Sequence, residues 1–201
     1  MKVFVVHYKK LIERKLHILK QFEKHNIKDY EFIEIDRDEL DGHDISMFQK
    51  NYSTSQMAIS LSHFYAYKQI SENYENGLIF EDDIILSDDF ESKFKTYMDQ
   101  LPEQYDMLFL GDGCKLHIDP NRIIKDINIY NKCSTRCTDS YVVSKKGATQ
   151  LCEYINATRN INLPIDNWLN IPFQEKGYKI YWAEPTIVTQ GTQNGTFVTS
   201  H

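Results

Sequence analysis

Leu78-Ile79-Phe80 runs straight into Glu81-Asp82-Asp83, and the chain returns at once to apolar residues at Ile84-Ile85-Leu86. Three adjacent carboxylates repel one another unless a cation or an arginine stands among them. Hard divalent cations take oxygen ligands, and Mg²⁺ or Mn²⁺ accepts one or two protein carboxylates and leaves its other positions to water and phosphate oxygens. A strand-end acidic cluster of this kind suits a metal-bound diphosphate. The alternative is a solvated acidic turn, which would have no need of an apolar anchor on each side. If the strand pleat persists, Glu81 and Asp83 share one side and Asp82 faces the other, where it caps the following segment.

The elements that must position this cluster alternate. Val3-Phe4-Val5-Val6 predicts a strand ending at His7-Tyr8, and Leu11 to His25 carries Leu11, Ile12, Leu16, Leu19 and Phe22 at helical spacing. Tyr30 to Ile35 predicts a second strand and Gln56 to Glu72 a second helix. Asn76-Gly77 reads as a turn into the strand 78–80. A helix follows from Asp89 to Gln100, stopped by Pro102, then a strand from Tyr105 to Leu110 that ends in Gly111-Asp112-Gly113. Residues 114–137 are polar and irregular, with Ile123-Ile124 and Ile127 to Ile129 suggesting a hairpin. Ser140 to Val143 predicts a strand, Ser144 caps a helix to Asn156, and Tyr178 to Trp182 is the last strand expected, before Pro185. Alternating units of this type imply an α/β fold with a mostly parallel central sheet and helices on both faces. Such sheets bind ligands outside the carboxyl ends of their strands, here His7-Tyr8, Glu81 and Gly111-Asp112.

The 201 residues fit one domain, with no internal repeat or linker. A formal net charge of −6 argues against a sequence-independent grip on nucleic acid. The sequence shows no membrane-spanning apolar stretch and no secretory leader, which points to the cytoplasm and makes the sequons at Asn51, Asn156 and Asn194 chance matches. Cys133 and Cys137 are four apart, loosely as in a zinc site; with no second pair, Cys114, Cys133, Cys137 and Cys152 read better as free thiols. There is no G-x-G-x-x-G and no phosphate-binding P-loop.

In order along the chain, Ile12-Glu13-Arg14-Lys15 after the first strand, Ser60-Leu61-Ser62-His63, Leu78 to Asp83, Asp139 to Ala148, Leu163-Pro164-Ile165-Asp166 and Pro185 to Gln190 resemble the motifs of one family. It is the family of metal-dependent GT-A glycosyltransferases that holds bacterial lipooligosaccharide β-galactosyltransferases and animal procollagen galactosyltransferases, glycosyltransferase family 25. The chain departs from it at Ser55 and Ala58-Ile59, where the family has Gly and Gly-Cys, at His7-Tyr8, where it has Asn-Leu, and at Asp139, where the family has a small residue.

The resemblance implies one Rossmann-like GT-A domain, with residues 1–110 as the nucleotide-sugar half and 111–201 as the acceptor half and tail. It implies a hexose moved from a UDP-sugar to a hydroxyl on a glycan or protein, with Mn²⁺ or Mg²⁺ as cofactor. Glu81 and Asp83 are then the metal-diphosphate carboxylates, Asp83 as the direct metal ligand and Glu81 nearer the ribose or a metal-bound water. His7, Tyr8, Arg14, His63, Asp82 and Gln190 line the nucleotide-sugar site. Arg14 reaches the base or a phosphate, or is a surface residue; His63 is a packed histidine or a ligand. An inverting transfer needs a general base. Asp166, between Pro164-Ile165 and Trp168, has the apolar neighbours that raise a carboxyl pKa; its other reading is the cap of a helix starting at Asn167, and Asp112 is the reserve. The tail 190–201 reads as a lid, with Phe197-Val198 to dock it and His201 as a further metal ligand, or as a frayed end. Two other classes share this layout. A sugar nucleotidyltransferase would carry a Gly-rich basic loop after the first strand, and residues 7–15 contain no Gly; an inactive sugar-binding scaffold would have lost the triplet.

Overall fold

The computed structural model describes residues 1–198. In chain order its elements are β1 (Lys2–Val6), α1 (Ile12–Lys24), β2 (Tyr30–Ile33), α2 (Thr54–Asn73), β3 (Asn76–Glu81), β4 (Ile84–Leu86), α3 (Phe90–Gln100), β5 (Met107–Phe109), β6 (Ile129–Lys132), β7 (Ser140–Ser144), α4 (Lys145–Thr158), α5 (Ile165–Trp168), α6 (Asn170–Lys176), β8 (Ile180–Ala183), β9 (Val188–Gln190) and α7 (Gly191–Asn194). Seven strands form one sheet in the order β2-β1-β3-β7-β5-β8-β6. Strands β2, β1, β3, β5 and β8 point one way, and β7 and β6 run against their neighbours.

Alternate side chains leave opposite faces of a strand. Val3, Val5, Leu78, Phe80 and Val142 pack on one face with Ile18 and Phe22 of α1 and Phe90 and Tyr97 of α3. Phe4, Val6, Ile79, Tyr141 and Val143 pack on the other with Tyr67 and Ile70 of α2 and Leu151 and Ile155 of α4. Helices therefore cover both faces, as expected. Each large apolar side chain so buried contributes about 1.5–3 kcal/mol, and a one-residue slip would exchange the faces, so this burial fixes the register. Ser53 and Ser144 open α2 and α4 by accepting the Gln56 and Gly147 amides at 3.2 and 3.0 Å.

Four expectations are corrected. Asn76-Gly77 is not a turn but the start of β3, seated under Ile70. Ile123-Ile124 and Ile127 to Ile129 form no hairpin: Ile129 opens β6, which pairs with β8, while Ile123, Ile124 and Ile127 are exposed. Tyr178 to Trp182 does not hold the last strand, because β9 follows and pairs with β4 in a second, two-stranded sheet. Asp166 does not cap a helix from Asn167; α5 begins two residues earlier, at Ile165, and Asp166 lies in its first turn. Among the described residues no helix is long and apolar enough to cross a membrane.

Candidate active site

The carboxyl ends of β1, β2 and β3 open on a cleft of about 700 Å³, whose walls include His7, Tyr8, Arg14, Arg37, Ser62, Glu81, Asp82, Asp83, Gln190 and Thr192. This is where a parallel arrangement leaves room for a ligand. The Arg37 guanidinium lies over the Tyr8 ring at 4.2 Å and donates to the Ser55 hydroxyl at 3.0 Å.

Asp82 is buried at the back of this cleft and does not cap the segment after it. Its Oδ1 accepts from Arg14 Nη1 at 2.8 Å, and its Oδ2 lies 2.8 Å from His7 Nδ1 and accepts the Tyr8 amide at 3.3 Å. Arg14 is buried too, so the carboxylate is matched by a charge rather than by water. Breaking such a pair from one side leaves a buried charge uncompensated and costs about 3–5 kcal/mol. Arg14→Ala is therefore expected to lower the unfolding free energy by that amount in urea titrations. A loss under about 1 kcal/mol would mean that the pair behaves as a solvated one.

Glu81 and Asp83 turn to the other side. Glu81 Oε1 accepts from the Thr138 hydroxyl at 2.8 Å and lies 3.6 Å from His63 Nε2. His63 is wholly buried, and its Nδ1 stands 2.7 Å from the Tyr141 hydroxyl, itself 2.8 Å from that of Tyr67. Asp83 Oδ2 accepts from the Thr192 hydroxyl at 2.6 Å, while the buried Oδ1 has no partner. Burial first, and the Glu81 charge second, push the Asp83 carboxyl up to about 6.

Thr192 reaches Asp83 because β4 and β9 pair, Ile84 opposite Gln190, and the Gly191 amide donates to the Asp83 carbonyl at 2.7 Å. A Cβ at Gly191 would meet the Phe197 ring at 2.6 Å and the Asp83 carbonyl at 2.8 Å, so only glycine permits this approach. Phe197 packs edge-on against His17 with centroids 5.0 Å apart, and Arg14 Nη2 donates to the Val198 carbonyl at 2.6 Å.

A second cleft of about 1190 Å³ adjoins the first and shares Ser55, Ile59, Glu81 and Gln190 with it. Its remaining walls include Gln56, Cys114, Cys137, Thr138, Asp139, Ile165, Asp166 and Gln193. Asp166 is half-buried and its Oδ1 accepts the Asn167 amide at 2.8 Å; burial, then the Glu81 charge, raise its pKa. Asp139 is fully buried, and burial holds its pKa well above the usual carboxylate range. The loop that carries it is pinned by Arg136, which is wholly buried and donates to the Glu184 carboxylate at 2.7 Å and to the Leu116 and Ala183 carbonyls. Cys137 Sγ lies 3.4 Å from Cys114 Sγ, not beside Cys133. Among the described residues no three His, Cys, Asp or Glu side chains are gathered to hold a metal ion by themselves.

The family profile described as Glycosyltransferase family 25 (LPS biosynthesis protein) matches residues 1–169. The chain belongs to glycosyltransferase family 25. It is a glycosyltransferase. No curated protein matches it. Solved structures similar to it include a mutant of Drosophila β1,4-galactosyltransferase 7 in complex with manganese, UDP-Gal and xylobiose, at 13% identity over 94% of this chain and 67% of that one, TM-score 0.48. Another is galactosyltransferase LgtC in complex with donor and acceptor sugar analogues, at 9% identity over 94% of this chain and 86% of that one, TM-score 0.49. Likeness this distant does not carry their ligands over to this chain.

In this glycosyltransferase, His7, Tyr8, Arg14, Glu81, Asp82, Asp83 and Gln190 stand together on the first cleft, and His63 lies behind Glu81. Asp166 faces the second cleft, whereas Asp112 belongs to the wall of neither. His201 lies outside the described residues. Sequence reasoning missed Arg37, Thr138 and Thr192. Arg37 had a usable signal, its place just past the carboxyl end of β2; the two threonines had none, since they arrive by pairings between distant segments.

Proposed function

We propose that this glycosyltransferase moves a hexose, galactose or glucose, from a UDP-sugar to a hydroxyl of a glycan or protein, with inversion and with Mn²⁺ or Mg²⁺ as cofactor. The observation that carries the reading is Asp83: one oxygen is held by Thr192, and the other is buried without a partner on the wall of the first cleft. Buried polar atoms are almost always paired, and a hard divalent cation satisfies such an oxygen. The donor set fits, because Glu81 and Asp83 offer two carboxylates and the diphosphate would supply further oxygens. When bound, the cation stabilises negative charge on the leaving diphosphate.

The chain's own residues do the rest. Asp83 would hold the cation, and Glu81, held in place by Thr138 and backed by His63, would face the ribose or a water on the cation. His7, Tyr8, Arg14 and Gln190 line the nucleotide side, and Asp82 anchors Arg14 there. Asp166 takes the proton of the attacking hydroxyl in the second cleft; its raised pKa makes it the better base. Residues 1–110 supply most of the donor side and residues 111–201 most of the acceptor side. Gln190 and Thr192 cross to the donor cleft, and Ser53 and Gln56 cross to the acceptor cleft. Incubation with Mn²⁺ and a panel of UDP-hexoses, with UDP release followed, tests the reading; release from none of them overturns it.

The C-terminal segment acts as a lid on the donor, anchored by the Thr192, Phe197 and Val198 contacts. Deleting residues 191–201 is expected to weaken UDP–Mn²⁺ binding and raise the ratio of donor hydrolysis to transfer, because water then enters. Unchanged affinity and an unchanged ratio in a calorimetric and product assay would make the segment an inert end.

A further inference from the structure

We propose that Asp139 belongs to the same cation site, as an outer carboxylate that accepts a hydrogen bond from a metal-bound water and thereby tightens the hold on the cation. The proposal rests on the divalent-cation reading above. Strand β7 runs antiparallel to β3 with Phe80 opposite Ser140, and the Glu81 amide donates to the Asp139 carbonyl at 2.8 Å, so Glu81 and Asp139 stand opposite each other at the strand ends. Opposed residues of an antiparallel pair present their side chains to one face, and like charges there are destabilising. Asp83 adds a third carboxylate two residues past Glu81.

Among the described residues no lysine or arginine forms an ion pair with Glu81, Asp83 or Asp139, and only His63 approaches the set, 3.6 Å from Glu81. Asp139 is 1% exposed; its Oδ2 accepts from the Ser140 hydroxyl at 2.8 Å, and its Oδ1 has no partner, like the Oδ1 of Asp83. Arg136, three residues before it, gives its guanidinium to Glu184 and to two carbonyls. The fold reserves space for the carboxylate. A Cβ at Gly111 would stand 1.8 Å from Asp139 Oδ2, so any side chain there would displace it. Two buried carboxylate oxygens without partners in one acidic cluster call for a cation and its waters. Because no three side chains among the described residues are gathered to hold an ion by themselves, Asp139 works through one of the waters that Mg²⁺ and Mn²⁺ retain. Outer-shell partners of this kind are worth about 10–100-fold in metal affinity.

Mn²⁺ binding in the presence of UDP, read from the electron paramagnetic resonance signal of free Mn²⁺, tests this on the whole chain. Asp139→Asn is expected to weaken Mn²⁺ by about 10–100-fold. Its metal-free melting temperature should stay at or above that of the wild type, since an opposed like charge has gone. Asp139→Ser takes the same measurement if the amide variant does not fold. Wild-type affinity in the variant overturns the role of Asp139 and leaves the cation at Glu81 and Asp83 standing. Weakened binding that appears only together with a lowered metal-free melting temperature overturns it as well, as a structural effect. A wild-type protein that binds no Mn²⁺ removes the cation reading and this proposal together.

Discussion

Asp166→Asn is expected to lower kcat by about 10²–10⁴-fold while UDP binding stays unchanged, because the substitution removes a proton acceptor and keeps the shape of the side chain. The expectation follows from where Asp166 sits. It lines the second cleft and not the first, with Glu81 on the wall common to both, and burial disfavours its ionised form enough to make it a receptive base. The Asn167 amide that Asp166 Oδ1 accepts would be accepted equally by the amide oxygen of Asn, so α5 should remain intact. Steady-state kinetics with a saturating UDP-hexose, beside a calorimetric UDP titration, separate the outcomes. A matching loss of nucleotide affinity would move Asp166 to the donor side. Unchanged turnover would move the base to Asp112, which neither cleft wall includes.

Asp83→Asn is expected to abolish the rise in melting temperature that Mn²⁺ plus UDP gives the wild type. A ligand that binds only the folded state at 100 times its Kd adds about 2.7 kcal/mol, so the missing shift would be large. Without metal the order reverses. Asp83 has a folded-state pKa of about 6 against an ordinary 3.8, so its favourable contribution is complete below about pH 4 and lost as pH rises through about 6. The Asn variant has no charge to bury and should gain on the metal-free wild type over that interval. Melting curves of both proteins from pH 4 to 7.5, with and without Mn²⁺–UDP, check both halves. A variant that keeps the ligand-induced shift would place the cation elsewhere.

Most of the main sheet was legible because its signals are local. Val3 to Val6 and Leu78 to Phe80 alternate between the two faces, α2 announces itself through its apolar and aromatic residues and α4 through its Ser144 cap, while the Ser53 cap that opens α2 at Thr54 was not read. The acidic triplet was legible for the same reason, since three carboxylates between apolar runs conflict with burial unless something compensates. What escaped depends on contacts between distant segments. Ile84 to Leu86 gives no hint that it pairs with Val188 to Gln190, and that pairing is what brings Thr192 to Asp83. Asp82 was read from the pleat alone as facing away to cap a turn, and the pleat argument could not know that Arg14 and His7 are buried there to receive it. The polar loop 114–137 looked irregular because its anchor is a buried ion pair from Arg136 to Glu184, which has no periodicity to betray it.

Calorimetric titration of UDP into the wild-type protein, once with Mn²⁺ and once with the cation removed by EDTA, tests the central claim most directly. If Glu81 and Asp83 hold a cation that the diphosphate completes, UDP binds at least about 10-fold more tightly with Mn²⁺, since the two carboxylates otherwise repel the phosphates at close range. Equal affinity in EDTA and in Mn²⁺ would contradict it.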